Sequence, residues 1–209
     1  MSGLLVVGAG GHGKVVADTA YETGRWSKIA FLDKRQDIKS VLSWPIIGCD
    51  DEAPFFLKEY QELAVALGNN QTRLKMLRHF AKIGFSLPVI IHPSAYVSNS
   101  AVIEAGCVVF AQSAVNAGVK IGFGSILNTC VSVDHDCILE DGVHLSPGVH
   151  LAGEVTVGSC SWIGIGTSVI QGVSIGQRVI VGAGTAVIKN IGDDVTVVGV
   201  PGGVIKSHV

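Results

Sequence analysis

His135 stands between two carboxylates, Asp134 and Asp136, in the run from Leu127 to Cys137. An imidazole with an ordinary pKa near 6.5 is already basic at neutral pH, and a flanking carboxylate holds the ring and raises its basicity. That triplet is suited to taking a proton from a nucleophile. A second set lies near the N-terminus, where Gly8, Gly10 and Gly13 satisfy GxGxxG and Asp33 follows about twenty residues later. Bare glycines let backbone N–H groups approach a phosphate at a helix N-terminus, and an aspartate at that distance can accept from ribose hydroxyls. A tight strand-to-helix turn that binds nothing would carry the same glycines.

The elements that hold His135 are legible from a six-residue repeat. Every sixth residue from Ile91 to Val187 is aliphatic, without an insertion, and the fifth place of each hexad is small or β-branched, from Ala95 to Thr185. Glycine recurs at the second or fourth place, where a corner can require positive φ. Two inward positions per six residues describe a short strand and a corner, and three such pairs close one coil of a parallel β-helix. An ordinary sandwich would let turn spacing and register drift. His135 takes the third place of its hexad, so it projects from the surface. Gly153 lies about one coil of 18 residues beyond it, roughly 4.8 Å away in the spacing of adjacent strands, and its N–H can stabilise an oxyanion beside the base. This is an arrangement for acyl transfer. His144 is half a coil from His135, so the two would meet only through a second subunit.

The residues before the repeat read as a Rossmann-like α/β domain. Strands are expected over Leu4 to Val7, Ile29 to Leu32 and Leu63 to Leu67, with helices over Lys14 to Thr23, Glu52 to Tyr60 and Asn70 to Ile83. The boundary falls near Leu87-Pro88, giving domains over residues 1–87 and 88–209. Fewer than about ninety residues supply one mononucleotide-binding half, which suits a nucleotide-sugar better than a dinucleotide.

Lysine and arginine (15) nearly balance aspartate and glutamate (17), so the net charge of -2 gives no field for nucleic acid or an anionic membrane. No apolar run approaches the roughly 18 residues of a membrane span. The opening stretch from Met1 to Gly8 lacks a basic n-region and reads as the first strand, so the expected location is the cytoplasm. Cys49, Cys107, Cys130, Cys137 and Cys160 are odd in number and form no CxxC, which argues for reduced thiols. Cys137 near His135 raises an acyl-enzyme route, but it sits at an inward place. Histidine spacing among His135, His144 and His150 does not suit a metal centre, and no metal is expected.

With these motifs in place, the chain resembles the sugar O-acyltransferases of the sialic-acid acetyltransferase type, and within them the nucleotide-amino-sugar N-acetyltransferases of bacillosamine and perosamine synthesis. The residues carrying the resemblance are VVGAGGHGKVVAD, the FLD ending at Asp33, LGNNQTR from Leu67 to Arg73, IHPSA from Ile91, LNTCVSVDHDC from Leu127 and the closing VVGVPGGVIK. It implies a left-handed β-helix and acetyl-CoA as co-substrate. His135 would be the general base and Asp136 its tuning carboxylate. His144, Gly153, Ile165 and Ala183 would line the acetyl-CoA site, while Gly10, Gly11, His12, Asp33, Gly68 and Asn128 would bind the sugar nucleotide. Related N-acetyltransferases can have a second acidic residue after the aspartate of the second strand. Here Lys34 follows Asp33, which bears on nucleotide preference.

The expected reaction is N-acetylation of a UDP-linked 4-amino sugar. O-acetylation of sialic acid or another sugar is the alternative, and a non-catalytic trimeric binding module is the alternative of another class. Outward functional groups and broad aliphatic edges lead to an expected homotrimer with active sites at subunit interfaces.

Overall fold

The computed structural model describes residues 3–35 and 37–208; Met1 and Ser2 of the opening stretch lie outside them. Contacts divide the chain into two compact units, Met1–Pro93 and Ser94–Val209. No helix among the described residues is long and apolar enough to cross a membrane.

The N-terminal unit is built on a sheet whose central strand, β1 (Gly3–Val7), is buried along its whole length. β2 (Lys28–Leu32) and β5 (Glu62–Val65) flank it in parallel. The order β3-β4-β2-β1-β5 includes a short antiparallel pair, β3 (Ser40–Val41) and β4 (Trp44–Gly48), with β4 parallel to β2. Because the chain first moves from β1 to β2 on one side and then to β5 on the other, the strand order reverses at β1. Loops diverge at such a switch point and leave a crevice at the strands' carboxyl ends.

Helix α1 (Gly11–Glu22) buries Val16, Ala17 and Ala20. It starts three residues earlier than the sequence leads one to expect, because Gly11 and Gly13 are helical. A Cβ on Gly13 would collide with the Gly8 carbonyl oxygen, so this glycine serves close packing of helix on strand. Helix α2 (Asn70–Ile83) has the expected span. The Asn69 side chain caps it by accepting from the Thr72 N–H at 2.9 Å, and Gly84 at φ 113° ends it. The helix expected over Glu52 to Tyr60 is instead a 3-10 helix, Asp50–Phe56; Pro54 has no N–H to give to a longer α-type ladder.

The C-terminal unit is a left-handed parallel β-helix. Strand residues pair with those 18 positions on, as in Ala114↔Ser132 and Ser132↔His150 on the first face, until the last coil, where Ile180 pairs with Thr196 at a step of 16. Ile138↔Thr156 belongs to the second face and His144↔Trp162 to the third. First-place residues such as Val133, Leu145 and Ile163 are buried, as are fifth-place residues such as Val131, Val143 and Val155. Polar fifth-place residues are satisfied in a repeating way. Ser113 Oγ donates to the Asn128 carbonyl at 2.7 Å and Ser161 Oγ to that of Gly176 at 2.7 Å, each 15 residues on.

Positive φ falls at the fourth place of every corner from Gly106 to Gly184, whether or not the residue is glycine. The second-place glycines have another purpose: a Cβ on Gly158 would lie 2.5 Å from the Gly176 carbonyl carbon in the next coil. They permit stacking and carry no left-handed φ.

Candidate functional site

His135 sits at the corner between the first and second faces, its side chain 56 % exposed. Its Nδ1 lies 2.9 Å from Asp136 Oδ2. An ionised carboxylate can only accept, so Nδ1 carries the proton and Nε2 presents its lone pair. This hydrogen bond, with smaller contributions from the charges of Asp134, Asp136 and Glu154, raises the His135 pKa above the usual histidine value. Asp136 adopts φ 59°. Its carboxylate lies over the preceding coil, where a Cβ on Gly118 would come within 2.5 Å of Oδ1.

Gly153 lies one coil beyond His135, as the 18-residue count requires, and the bond from the Glu154 N–H to the His135 carbonyl at 2.9 Å fixes the stacking. A Cβ on Gly153 would stand 2.5 Å from both Nε2 and Cε1 of the imidazole. The Nε2–Cε1 side of the ring therefore passes close to the Gly153 backbone, with room there for glycine alone.

Four other residues fall elsewhere on the solenoid. His144 is on the third face, buried and stacked on Trp162 with centroids 5.6 Å apart and planes 7° apart. Ile165 and Ala183 are exposed and occupy the same corner, after the third face, one coil apart. Asn128 precedes that corner and accepts from the Thr129 N–H at 2.9 Å. The fold thus joins His135, Asp136 and Gly153, and keeps His144, Ile165, Ala183 and Asn128 away from them around the same coil stack.

In the N-terminal unit, Gly10, Gly11 and Gly68 share a property: a Cβ on any of them would meet nothing within 4 Å. Neither packing nor positive φ requires glycine there, and each lies at the carboxyl end of the sheet beside the switch point. Gly8, by contrast, has φ 98°. Asp33 Oδ2 accepts from the Ala9 N–H at 2.7 Å, pinning the glycine loop to the end of β2. Arg35 binds both carboxylate oxygens, through Nε at 2.8 Å and Nη2 at 3.0 Å, and holds Asp33 well below the usual carboxylate range. A cleft of about 280 Å³ opens here, lined by Gly8, Asp33, Lys34, Asp50, Leu67 and Thr72 among others. His12 lies in the first turn of α1, and burial together with the Arg73 guanidinium lowers its pKa to about 4, so it is neutral at pH 7. Arg73 is buried and donates to the Leu67 carbonyl at 3.0 Å and to Asn70 Oδ1 at 2.9 Å, shaping the loop that contains Gly68.

Residues 3–80 match the family described as the PglD N-terminal domain. The acetyltransferase domain of PglB from Neisseria gonorrhoeae FA1090, solved in complex with acetyl coenzyme A, is 43 % identical over 97 % of this chain and 98 % of that one, with a TM-score of 0.92. PerB from Caulobacter crescentus, solved with CoA and GDP-perosamine, is 39 % identical over 99 % and 98 % of the two chains, also with a TM-score of 0.92. The GDP-perosamine N-acetyltransferase of Escherichia coli O157:H7 is 27 % identical over 80 % of this chain and 78 % of its own length. The chain belongs to the acetyl-CoA-dependent sugar N-acetyltransferases of this hexapeptide-repeat family.

Two features of the acetyltransferase bear on its chemistry. Cys137 is buried, its thiol donates to the Ala152 carbonyl at 3.1 Å, and burial raises its pKa, so the thiolate an acyl-enzyme would need is disfavoured beside His135. Cys49, Asp50 and Asp51 bring their ligand atoms within 4.8 Å of one another, a grouping common at acidic surfaces without an ion. His135, His144 and His150 do not converge, since they occupy a corner, the third face and the first face. Sequence reasoning missed Arg35 and Arg73, whose roles depend on contacts with Asp33 and the Gly68 loop. The spacing Asp33-x-Arg35 and the arginine of LGNNQTR were the available signals.

Proposed function

We propose that this acetyltransferase acetylates the 4-amino group of a UDP-linked amino sugar, with His135 as general base. The observation that carries the reading is the 2.9 Å contact between His135 Nδ1 and Asp136, which leaves the Nε2 lone pair at the exposed corner against Gly153. The uncharged amine attacks the thioester carbonyl carbon while Nε2 takes its proton. The new C–N bond forms, the C–S bond breaks, and the His135 imidazolium gives that proton to the leaving sulfur, so that CoA departs as the thiol and the base is restored. Among the described residues no acceptor is recorded for the Gly153 N–H, which supports its use as a donor to the developing oxyanion. The buried Cys137 favours direct attack over an acyl-enzyme.

Gly10, Gly11 and Gly68 leave backbone bare at a switch-point crevice, which supports binding of the nucleotide diphosphate there, with His12 and Asp33 as further substrate residues of that unit; on the solenoid, Asn128 is assigned to the substrate by the family resemblance. His144, Ile165 and Ala183 are assigned to acetyl-CoA, between neighbouring solenoids of a homotrimer. A GDP-linked sugar is the second reading, favoured by the likeness to the PerB complex with GDP-perosamine.

The test is thiol release from acetyl-CoA with UDP-4-amino sugars, GDP-perosamine and free sialic acid offered in parallel, with His135→Ala as control. Turnover on a UDP-amino sugar that falls by roughly 10²- to 10⁴-fold in the variant is expected. Preference for GDP-perosamine selects the second reading, turnover on sialic acid alone moves the reaction to O-acetylation, and no turnover on any acceptor revives the binding module.

A further inference from the structure

At most corners of the solenoid the N–H of the third-place residue lies outside the coil-to-coil ladder. Side chains meet several of these: the Phe123 N–H donates to Asp141 Oδ1 at 3.1 Å and the Gln177 N–H to Asp193 Oδ1 at 3.0 Å. At His135 the acceptor is Asp134, whose Oδ1 receives the His135 N–H at 2.8 Å. The same oxygen receives Asn116 Nδ2 at 3.1 Å, from one coil earlier.

The peptide after His135 is held by the ladder on both sides, with the Asp136 N–H donating to the Ala117 carbonyl at 3.0 Å and the His135 carbonyl accepting from Glu154. The ladder also holds the Val133–Asp134 peptide, through the Asp134 N–H and the Val133 carbonyl, but among the described residues it makes no bond to the Asp134–His135 peptide directly before the His135 α-carbon. Its own N–H, which sets the plane from which the His135 Cα–Cβ bond departs, depends on the Asp134 side chain. That side chain is in turn braced by Asn116. A ring confined between Asp136 and the α-carbon of Gly153 has little room to compensate for a rotated Cα–Cβ bond.

We propose that Asp134 and Asn116 are positioning residues for the acetyl transfer: through Oδ1 of Asp134 they fix the backbone of His135, and with it the direction in which Nε2 meets the attacking amine. This rests on His135 being the general base. Asp136 acts on the ring, whereas Asp134 and Asn116 act on the main chain beneath it.

Steady-state kinetics of Asn116→Ala, Asp134→Ala and Asp134→Asn, each alone and combined with His135→Ala, test this, with exchange of the His135 amide proton followed by NMR. Asn116→Ala and Asp134→Ala are expected to lower kcat by about tenfold or more, since a misplacement of ~1 Å costs up to about a hundredfold, with both KM values unchanged. Asp134→Asn keeps an oxygen that can accept both bonds, so it restores most of that loss while its acid limb moves to lower pH. The His135 amide exchanges faster in both alanine variants, and neither lowers the residual rate further once His135 is alanine.

Unchanged kcat in both alanine variants overturns the proposal, as does a rise in KM alone or a loss that persists undiminished in the His135→Ala background. Full turnover by His135→Ala alone is a separate failure, of the general-base reading, and removes the basis for positioning even where the amide exchange responds as expected.

Discussion

At the scale of single residues, the catalytic assignment depends on which form of His135 is populated. A general base must be neutral, and Asp136 stabilises the imidazolium, so the base becomes competent only above the ordinary histidine pKa. The acid limb of kcat/KM, which reports the free enzyme, is therefore expected above about 6.5. Removing the carboxylate charge with Asp136→Asn lowers the imidazole pKa, so the limb moves to lower pH while the plateau rate falls because the base is weaker. A pH profile of both proteins checks this, and an unmoved limb would detach Asp136 from the titrating group. The charges were visible in sequence as the triplet around His135. Which carboxylate takes the ring was named only through the family resemblance, which pointed to Asp136; the charges by themselves do not choose, because the choice follows from Asp136 at φ 59° turning its side chain onto Nδ1 while Asp134 turns back to the main chain.

At the scale of elements, the glycines of the N-terminal loop divide by physical duty. Gly13 is required for packing on Gly8, whereas Gly10 faces open space at the N-cap of α1. Gly13→Ala is accordingly expected to destabilise by about 1–3 kcal/mol or more through overpacking, seen as a lower melting temperature without ligand. Gly10→Ala is expected to melt within about 0.5 kcal/mol of the parent and to raise KM for the nucleotide-sugar while leaving KM for acetyl-CoA alone. If Gly10→Ala left both KM values untouched, the loop would be a turn and no ligand cradle. A GxGxxG pattern does not separate these duties, since all three residues look alike until the neighbours of each missing Cβ are known. The same blindness moved the expected start of α1 to Lys14. It also left the β3–β4 pair unread, where two short runs interrupted by Pro45 carry too little periodicity to announce strands.

At the scale of the whole molecule, the solenoid exposes Trp162, Ile165, Ile170, Ile180 and Ile188, all on its outer surface. Trp162 and Ile180 are paired neighbours on the third face, and contiguous exposed apolar groups mark association surfaces. Light scattering of the purified protein is expected to give three times the chain mass, and a monomer at working concentration would sink the homotrimer and the shared acetyl-CoA site with it. The sequence by itself determined the β-helix, because a strict six-residue alternation of inward positions admits one way to bury them all, and it determined helix α2, whose cap residues and apolar spacing are local. It also placed Gly153 beside His135, since the uninterrupted 18-residue coil there turns sequence distance into spatial adjacency. Tertiary structure alone decided which glycines serve stacking and which serve corners, which side chains hold Asp33 and the Gly68 loop, and how Asn116 reaches Asp134. Each of these depends on the direction of a side chain or the closeness of a backbone across the fold, and neither quantity has a period along the chain.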